Sequence, residues 1–140
     1  MLVLILNSNR VISALINKNS IIRDFLLSDR LQFYCPEYTL EEIEKYKATI
    51  LEKSNLTEME FYFTLSYILQ RVEIVSKGGF ASKLPEAESI MKTIDPKDAP
   101  FVALSLSVSN QGIFSNDPHF DQAGLKRWSV EDIMKWLEEN

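Results

Sequence analysis

Short apolar runs alternate along the chain with longer segments in which apolar residues recur at helical spacing. The first run, Leu2 to Leu6, stops at the polar triplet Asn7-Ser8-Asn9, and a second apolar stretch follows at once. A fully buried strand that turns directly into a helix has this pattern. Runs of this kind predict strands at Leu2 to Leu6, Leu31 to Tyr34, Val72 to Val75, Gly112 to Phe114 and, more weakly, Lys126 to Trp128.

Segments of helical period lie between and after these runs. Strands that alternate with helices favour a parallel sheet that is covered on both faces and joined by right-handed crossovers. We therefore expect an α/β fold around a mostly parallel sheet of about four to five strands. The predicted helices are Arg10 to Asn17, Ser20 to Ser28, Thr39 to Lys53, Thr57 to Leu69, Pro85 to Lys92, Asp98 to Ser109 and Val130 to Glu139.

The segment from Phe101 to Ser109 fits two structures. Apolar residues alternate with small or polar ones from Val102 to Ser109, which is the period of a half-buried strand. As a helix, the segment would place Phe101, Leu104 and Val108 on one face and would be buried almost all round. The period alone does not decide between the two.

The composition indicates a folded domain in a reducing compartment. The 140 residues are 46% apolar and 25% charged, which suits one globular domain over residues 1–140 and excludes a disordered chain. The only cysteine, Cys35, lies in an apolar run, so we expect a buried thiol and a cytoplasmic protein. The first apolar run is too short for a signal peptide, and no run reaches the roughly 20 apolar residues of a membrane span.

The net charge of -5 argues against a protein that holds nucleic acid by bulk electrostatics, because phosphate contacts need lysine and arginine. A metal-dependent nuclease remains compatible with this charge. Such an enzyme collects carboxylates around a divalent cation, and the cation supplies the positive field.

Four oxygen-bearing side chains fall at the ends of predicted strands or at the starts of predicted helices. In a parallel sheet, the ligand site lies beyond the carboxyl ends of the strands, where helix N-termini also point. Oxygen atoms that converge there would suit a hard cation such as Mg²⁺ or Mn²⁺. The four residues are Asn7, Glu42, Asp98 and Asp117, and close rivals for the second and third positions are Glu41, Glu44 and Asp95.

Each of the four also has a purely structural interpretation as a helix cap. Thr39 and Glu42 have the spacing of a capping box, and Asp98 can cap a helix with Pro100 in its first turn. Asp117 precedes Pro118 and can cap a short helix, and Asn7 or Ser8 can cap the first one. His119, the only histidine, has no nucleophile beside it in sequence, so we expect it at the surface or in a supporting position.

Four blocks of the sequence together resemble a PIN domain. They are NSNRVISAL from Asn7, LEEI from Leu40, DPKDA from Asp95 and SNDPHF from Ser115, in the family's order and with similar spacing. The resemblance implies a three-layer α/β/α sandwich and a helix over Ala99 to Ser109. It also implies a metal-dependent endoribonuclease, often the toxin of a toxin–antitoxin pair. The family's acidic quartet falls on Asn7, Glu42, Asp98 and Asp117, with Asn9 and Ser115 as supporting polar residues.

The chain departs from the family at Asn7, where an aspartate is usual. An amide oxygen can ligate a cation but brings no charge, so the resemblance implies a weakened site. The first hypothesis is therefore a Mg²⁺- or Mn²⁺-dependent ribonuclease with RNA as substrate, an antitoxin protein as partner and a homodimeric assembly. The second is a PIN-like module that binds RNA or protein without cleaving. The third is an unrelated α/β protein whose acidic residues are all caps.

These hypotheses make a structural prediction. If Asn7, Glu42, Asp98 and Asp117 share a cation, all four must lie at one end of the sheet. Any two of them at opposite ends would contradict a shared site.

Overall fold

All five predicted strands form one parallel sheet in the computed structural model, which describes residues 1–140. The strands are β1 (Leu2–Leu6), β2 (Leu31–Pro36), β3 (Glu73–Val75), β4 (Ile113–Phe114) and β5 (Arg127–Trp128). Their spatial order is β3-β2-β1-β4-β5, and every neighbouring pair is parallel. The central strand β1 aligns Leu2 with Leu31 of β2 and Leu6 with Phe114 of β4. The sheet is therefore wholly parallel, whereas the sequence predicts a mostly parallel sheet.

Helices cover both faces of this sheet and complete a three-layer α/β/α sandwich. Leu4 and Leu6 of β1 belong to one apolar cluster and Ile5 to the other, because successive side chains of a strand point to opposite faces. The helices are α1 (Ser8–Ile16), α2 (Ile21–Leu27), α3 (Tyr38–Lys45), α4 (Lys47–Ser54), α5 (Glu58–Ile68), α6 (Leu84–Met91), α7 (Ala99–Ser107), α8 (His119–Gln122) and α9 (Val130–Glu139), with 3₁₀ turns at Lys77–Gly79, Ala81–Lys83 and Pro96–Asp98. None of these helices is long and apolar enough to cross a lipid bilayer.

The ambiguous segment is a helix, α7, as the family resemblance implies. Phe101, Val102 and Leu104 have no exposed surface. The helix packs against β1 and β2 on one side and α6 on the other. A helix that is buried on nearly all sides needs no polar stripe, so its sequence carries no clear helical period.

The prediction of one helix over Thr39 to Lys53 is wrong in one respect. The chain forms two helices, α3 and α4, which meet at Tyr46, where φ is -95° and ψ is 7°. Neither glycine nor proline marks this break. Lys47, the first residue of α4, donates hydrogen bonds to Glu58 and Tyr62 of α5.

The only cysteine, Cys35 of β2, has no exposed surface and forms no disulfide, as expected. Burial raises the pKa of its thiol to about 12. The thiol is therefore a small apolar component of the core.

The conformation of Gly112, directly before β4, leads to a testable prediction about the strands that carry the site. Its φ is +136°, and a Cβ there would collide with the Lys126 carbonyl oxygen and lie 2.9 Å from the Trp128 ring. Gly112→Ala should lower the free energy of unfolding by about 3 kcal/mol or more, because strained backbone and collision add.

Gly124→Ala is the matched control. Gly124 also has a positive φ, +84°, but nothing lies within 4 Å of its added Cβ. It should lose only about 1–2 kcal/mol. Urea unfolding of both variants measures the difference, and equal losses would contradict crowding at Gly112.

Candidate metal centre

The segments that follow β1 and β4 lie side by side at the carboxyl edge of the sheet. The backbone N–H of Asn7 donates to the carbonyl oxygen of Phe114 at 3.2 Å, which continues the pairing of the two strands. Two residues further along each segment, Asn9 Nδ2 donates to Asn116 Oδ1 at 2.8 Å. The start of α1 and the loop after β4 are therefore tied together by backbone and side-chain bonds.

Three aspartates and one histidine meet next to this edge. One potential ligand atom from each of Asp95, Asp98, Asp117 and His119 lies within 4.8 Å of all the others. Asp95 precedes the 3₁₀ turn that leads into α7, and Asp98 is the last residue of that turn. Asp117 lies two residues before α8, and His119 is the first residue of α8. We call these four residues the acidic cluster. Two of them, Asp98 and Asp117, belong to the predicted quartet.

Glu42 of α3 faces the same region through Ser8. The Ser8 hydroxyl donates to Glu42 Oε1 at 2.7 Å, and Thr39 Oγ1 lies 3.2 Å from Ser8 Oγ. The predicted Thr39–Glu42 capping box is therefore wrong: α3 begins at Tyr38, and both side chains bond to Ser8. Glu44, a rival of Glu42, instead accepts from the Tyr62 hydroxyl at 2.9 Å on the side of α5.

The other cap interpretations divide between the residues. Asn7, which is 5% exposed, does cap α1, because its Oδ1 accepts from the Asn9 N–H at 3.2 Å. Asp117 Oδ1 accepts from the His119 N–H at 2.9 Å at the start of α8. Asp98 occupies the N-cap position of α7, but its side chain makes no capping hydrogen bond. The carboxyl group of Asp98 instead lies beside the other carboxylates of the acidic cluster.

The two supporting polar residues sit around the predicted quartet. Ser115 is fully buried, and its Oγ accepts from the Asp117 N–H at 3.0 Å. Asn9 Oδ1 is buried and has no hydrogen-bond partner. Ser115 therefore shapes the loop that carries Asp117, and Asn9 joins that loop to α1.

Like charges and burial act together on Asp98. Burial is the largest cause that raises the pKa of its carboxyl, and the neighbouring Asp95, Glu42 and Asp117 raise it further, to about 7. Burial also raises the pKa of Glu42, which the hydrogen bond from Ser8 partly offsets. Negative charge in the cluster is therefore unfavourable in free energy, and a bound cation would reduce this penalty.

The donor atoms suit a divalent cation. Bonds of about 2.1 Å in an octahedral shell place neighbouring ligand atoms about 3.0 Å apart and opposite ones about 4.2 Å apart. His119 Nδ1 lies 3.3 Å from Asp117 Oδ1 and 3.5 Å from Asp95 Oδ2, and it is buried without a hydrogen-bond partner. An unpartnered buried nitrogen between two carboxylates fits a ligand position.

The sequence predicts Asp95 only as a rival of Asp98, and it predicts a surface or supporting position for His119. The structure brings both into the same cluster as Asp98. No local signal in the sequence marks His119 as a member of this cluster, because its place depends on how Phe120 packs against Phe101.

A cleft of about 880 Å³ lies beside the cluster, between α3, α6 and the 3₁₀ turn that ends at Asp98. Lys97, next to Asp98 in the chain, is exposed on its wall, and Tyr38 also lines the cleft. Lys77 and Lys92 line the same cleft, together with Glu37, Glu41 and Glu88. No ion pair ties up any of these lysines.

Comparison with protein families gives a match to the PIN domain over residues 5–138. The matched range covers nearly the whole chain and includes every residue of the acidic cluster. The comparison with curated proteins gives no match. PIN domains are generally metal-dependent nucleases, so the family assignment agrees with a nuclease-type function and with a divalent metal at a cluster of acidic residues.

The raised pKa of Asp98 predicts how the stability of the metal-free protein changes with pH. The ordinary pKa is 3.8 and the folded value is about 7, so the folded state binds more protons between these values. Stability from this residue is therefore lost as pH rises from about 4 to about 7. Asp98→Asn should remove that loss and raise Tm at pH 8 by several degrees, since one kcal/mol is worth about 4 °C at this chain length.

Thermal melts in EDTA across this pH range measure the difference between the two proteins. Asp121→Asn is the control, because Asp121 bonds to Arg127 and lies outside the cluster. The control should keep the wild-type slope. Parallel curves for wild type and Asp98→Asn would contradict the assignment.

Proposed function

Because the chain belongs to the PIN domain family, we propose that it is a metal-dependent endoribonuclease that hydrolyses phosphodiester bonds in RNA. One observation carries the proposal: three aspartates, Asp95, Asp98 and Asp117, meet at the carboxyl edge of a parallel sheet in a chain of this family. The proposal treats residues 1–140 as a single PIN-like domain.

The proposed ligands of a Mg²⁺ or Mn²⁺ ion are Asn7, Glu42, Asp98 and Asp117, with Asp95 of the acidic cluster as a further carboxylate donor. Bound there, such a cation supplies activation of water at neutral pH and neutralises charge at the phosphate. The protein's own part is to hold the carboxylates at short separations and to direct them. Ser8 orients Glu42, and the backbone N–H of His119 orients Asp117.

Two features of the site would help to bind the phosphate backbone of RNA. Lys97 is exposed next to Asp98, and no ion pair neutralises it. The first turn of α1 begins at the edge where Asn7 lies, and helix N-termini favour phosphate. Lys77 and Lys92 in the cleft are likewise unpaired, whereas Lys47 bonds to Glu58 and Arg127 bonds to Asp121.

We propose that Asn7 weakens the site. An amide contributes no charge toward a dication, and Asn7 Oδ1 already accepts a hydrogen bond from the backbone of α1. Asp95, which the structure adds to the acidic cluster, supplies a further carboxylate beside Asp98 and Asp117. The proposed activity therefore depends on Asp95 more than in a site with aspartate at position 7.

A toxin role with a protein antitoxin, which the family resemblance implies, and a homodimeric state belong to the same proposal. A small overlapping gene upstream would favour the toxin role. Size-exclusion chromatography with light scattering tests the homodimer.

A second candidate function is a PIN-like module that binds RNA or protein without cleaving it. Asn7 favours this candidate, because it removes a charge from the proposed metal site. Titration with Mn²⁺ followed by incubation with mixed RNAs separates the two candidates. The nuclease should cut RNA in a metal-dependent way, whereas the module should bind and leave it intact.

Asn7→Asp is the decisive variant for the nuclease. Aspartate caps a helix as well as asparagine does, so α1 should form in both proteins. Without metal the variant should be slightly less stable, because a further carboxylate adds repulsion. With Mn²⁺ it should show a larger rise in Tm, since a cation that binds only the native state stabilises it, and cleavage at low Mn²⁺ should increase or appear.

Asn116→Asp is the matched control, since it adds the same charge nearby and keeps the oxygen that accepts from Asn9. It should change metal binding little. If Asn7→Asp leaves both the Mn²⁺-induced rise in Tm and RNA cleavage at wild-type values, Asn7 is only a helix cap.

A further inference from the structure

His119 is the one member of the acidic cluster that offers nitrogen rather than oxygen. Its Nδ1 atom is buried and forms no hydrogen bond, although the side chain as a whole is 40% exposed. Carboxylate oxygens of Asp117 and Asp95 lie 3.3 Å and 3.5 Å from this nitrogen. The ring thus turns its buried nitrogen toward the carboxylates and its remaining surface toward solvent.

The hydrophobic core fixes the position of this ring. The next residue, Phe120, is fully buried and packs edge-on against Phe101 of α7, with ring centroids 6.2 Å apart. Helix α7 starts directly after Asp98, so the same contact locates both sides of the cluster. On the other side of the ring, the backbone N–H of His119 holds Asp117 Oδ1 at 2.9 Å.

We propose that His119 Nδ1 is a metal ligand alongside Asp95, Asp98 and Asp117, and that this nitrogen makes the site select Mn²⁺ over Mg²⁺. The inference rests on the proposed function, which places a divalent cation in this cluster. It adds a ligand outside the predicted quartet and names the preferred ion.

The selectivity follows from the chemistry of the donors. Carboxylate oxygens serve Mg²⁺ and Mn²⁺ alike, whereas imidazole nitrogen suits transition metals better than the hard Mg²⁺ ion. One nitrogen among three carboxylates therefore shifts the balance toward Mn²⁺. For this role Nδ1 must be free of its proton, which then resides on Nε2.

The competing explanation is that His119 is a protonated counter-charge that neutralises the aspartates. The two explanations predict opposite effects of removing the imidazole. Loss of a ligand weakens Mn²⁺ binding, whereas loss of a positive charge strengthens the binding of every cation.

Pulsed EPR on the Mn²⁺-loaded wild-type protein tests ligation directly. His119 is the only histidine in the chain, so a nitrogen hyperfine coupling of imidazole type has one possible source. Selective ¹⁵N-histidine labelling should change that coupling. A Mn²⁺-loaded protein without histidine coupling would overturn the proposal.

Calorimetric titrations with Mn²⁺ and Mg²⁺ test the selectivity. His119→Phe keeps a ring without nitrogen and should weaken Mn²⁺ binding at least about tenfold, with a smaller effect on Mg²⁺. His119→Asn puts an amide oxygen in place of the nitrogen and should narrow the difference between the two ions. Asp121→Asn, which changes a charge on α8 outside the cluster, should keep the wild-type preference.

Two titration results would overturn the proposal. Tighter binding of both ions by His119→Phe would identify His119 as a counter-charge. Equal affinities in wild type and His119→Phe would show that the ring does not contact the cation. An RNA digest with the same proteins keeps this question separate from the proposed function, because histidine coupling to bound Mn²⁺ can be present whether or not RNA is cleaved.

Discussion

The burial of β1 on both faces is the constraint on which the rest of the structure depends. A strand without a solvent-facing side must be covered twice, and parallel strands joined by helical crossovers achieve this. Leu4, Ile5 and Leu6 have no exposed surface. The strand β1 lies between β2 and β4, and both neighbours run parallel to it. The loops that follow β1 and β4 therefore lie side by side, and polar residues that are far apart in the sequence meet there.

The acidic cluster illustrates how a fold can hold an unfavourable arrangement. Asp98 is 6% exposed and lies near three other carboxylates, which no isolated peptide would tolerate. The two apolar clusters of the sandwich supply stability that offsets the unfavourable free energy of holding these carboxylates together. The carboxylates of the cluster thus repel one another in the metal-free folded protein. A bound cation removes this repulsion, and its removal adds to the affinity for the cation.

Much of the fold could be predicted from the sequence because β1, β2 and β4 are short apolar runs with polar turns behind them. Helix α7 could not be predicted from its period, because a helix surrounded by protein shows no polar stripe, and only the family resemblance identified it. No local signal in the sequence marks the break at Tyr46, because neither glycine nor proline stands there. The convergence of strand ends predicts Asp98 and Asp117 as site residues, and the structure brings both into the acidic cluster. The place of His119 depends on how Phe120 packs in the core, so spacing alone could not give it.

The buried thiol of Cys35 has a practical consequence for work on this protein. A thiol with a pKa of about 12 and no exposed surface stays protonated and beyond the reach of alkylating reagents at neutral pH. The folded chain therefore behaves as if it were free of cysteine. A single cysteine introduced on the surface would accept a fluorophore or spin label at that position alone, with no need to replace a residue of the core first.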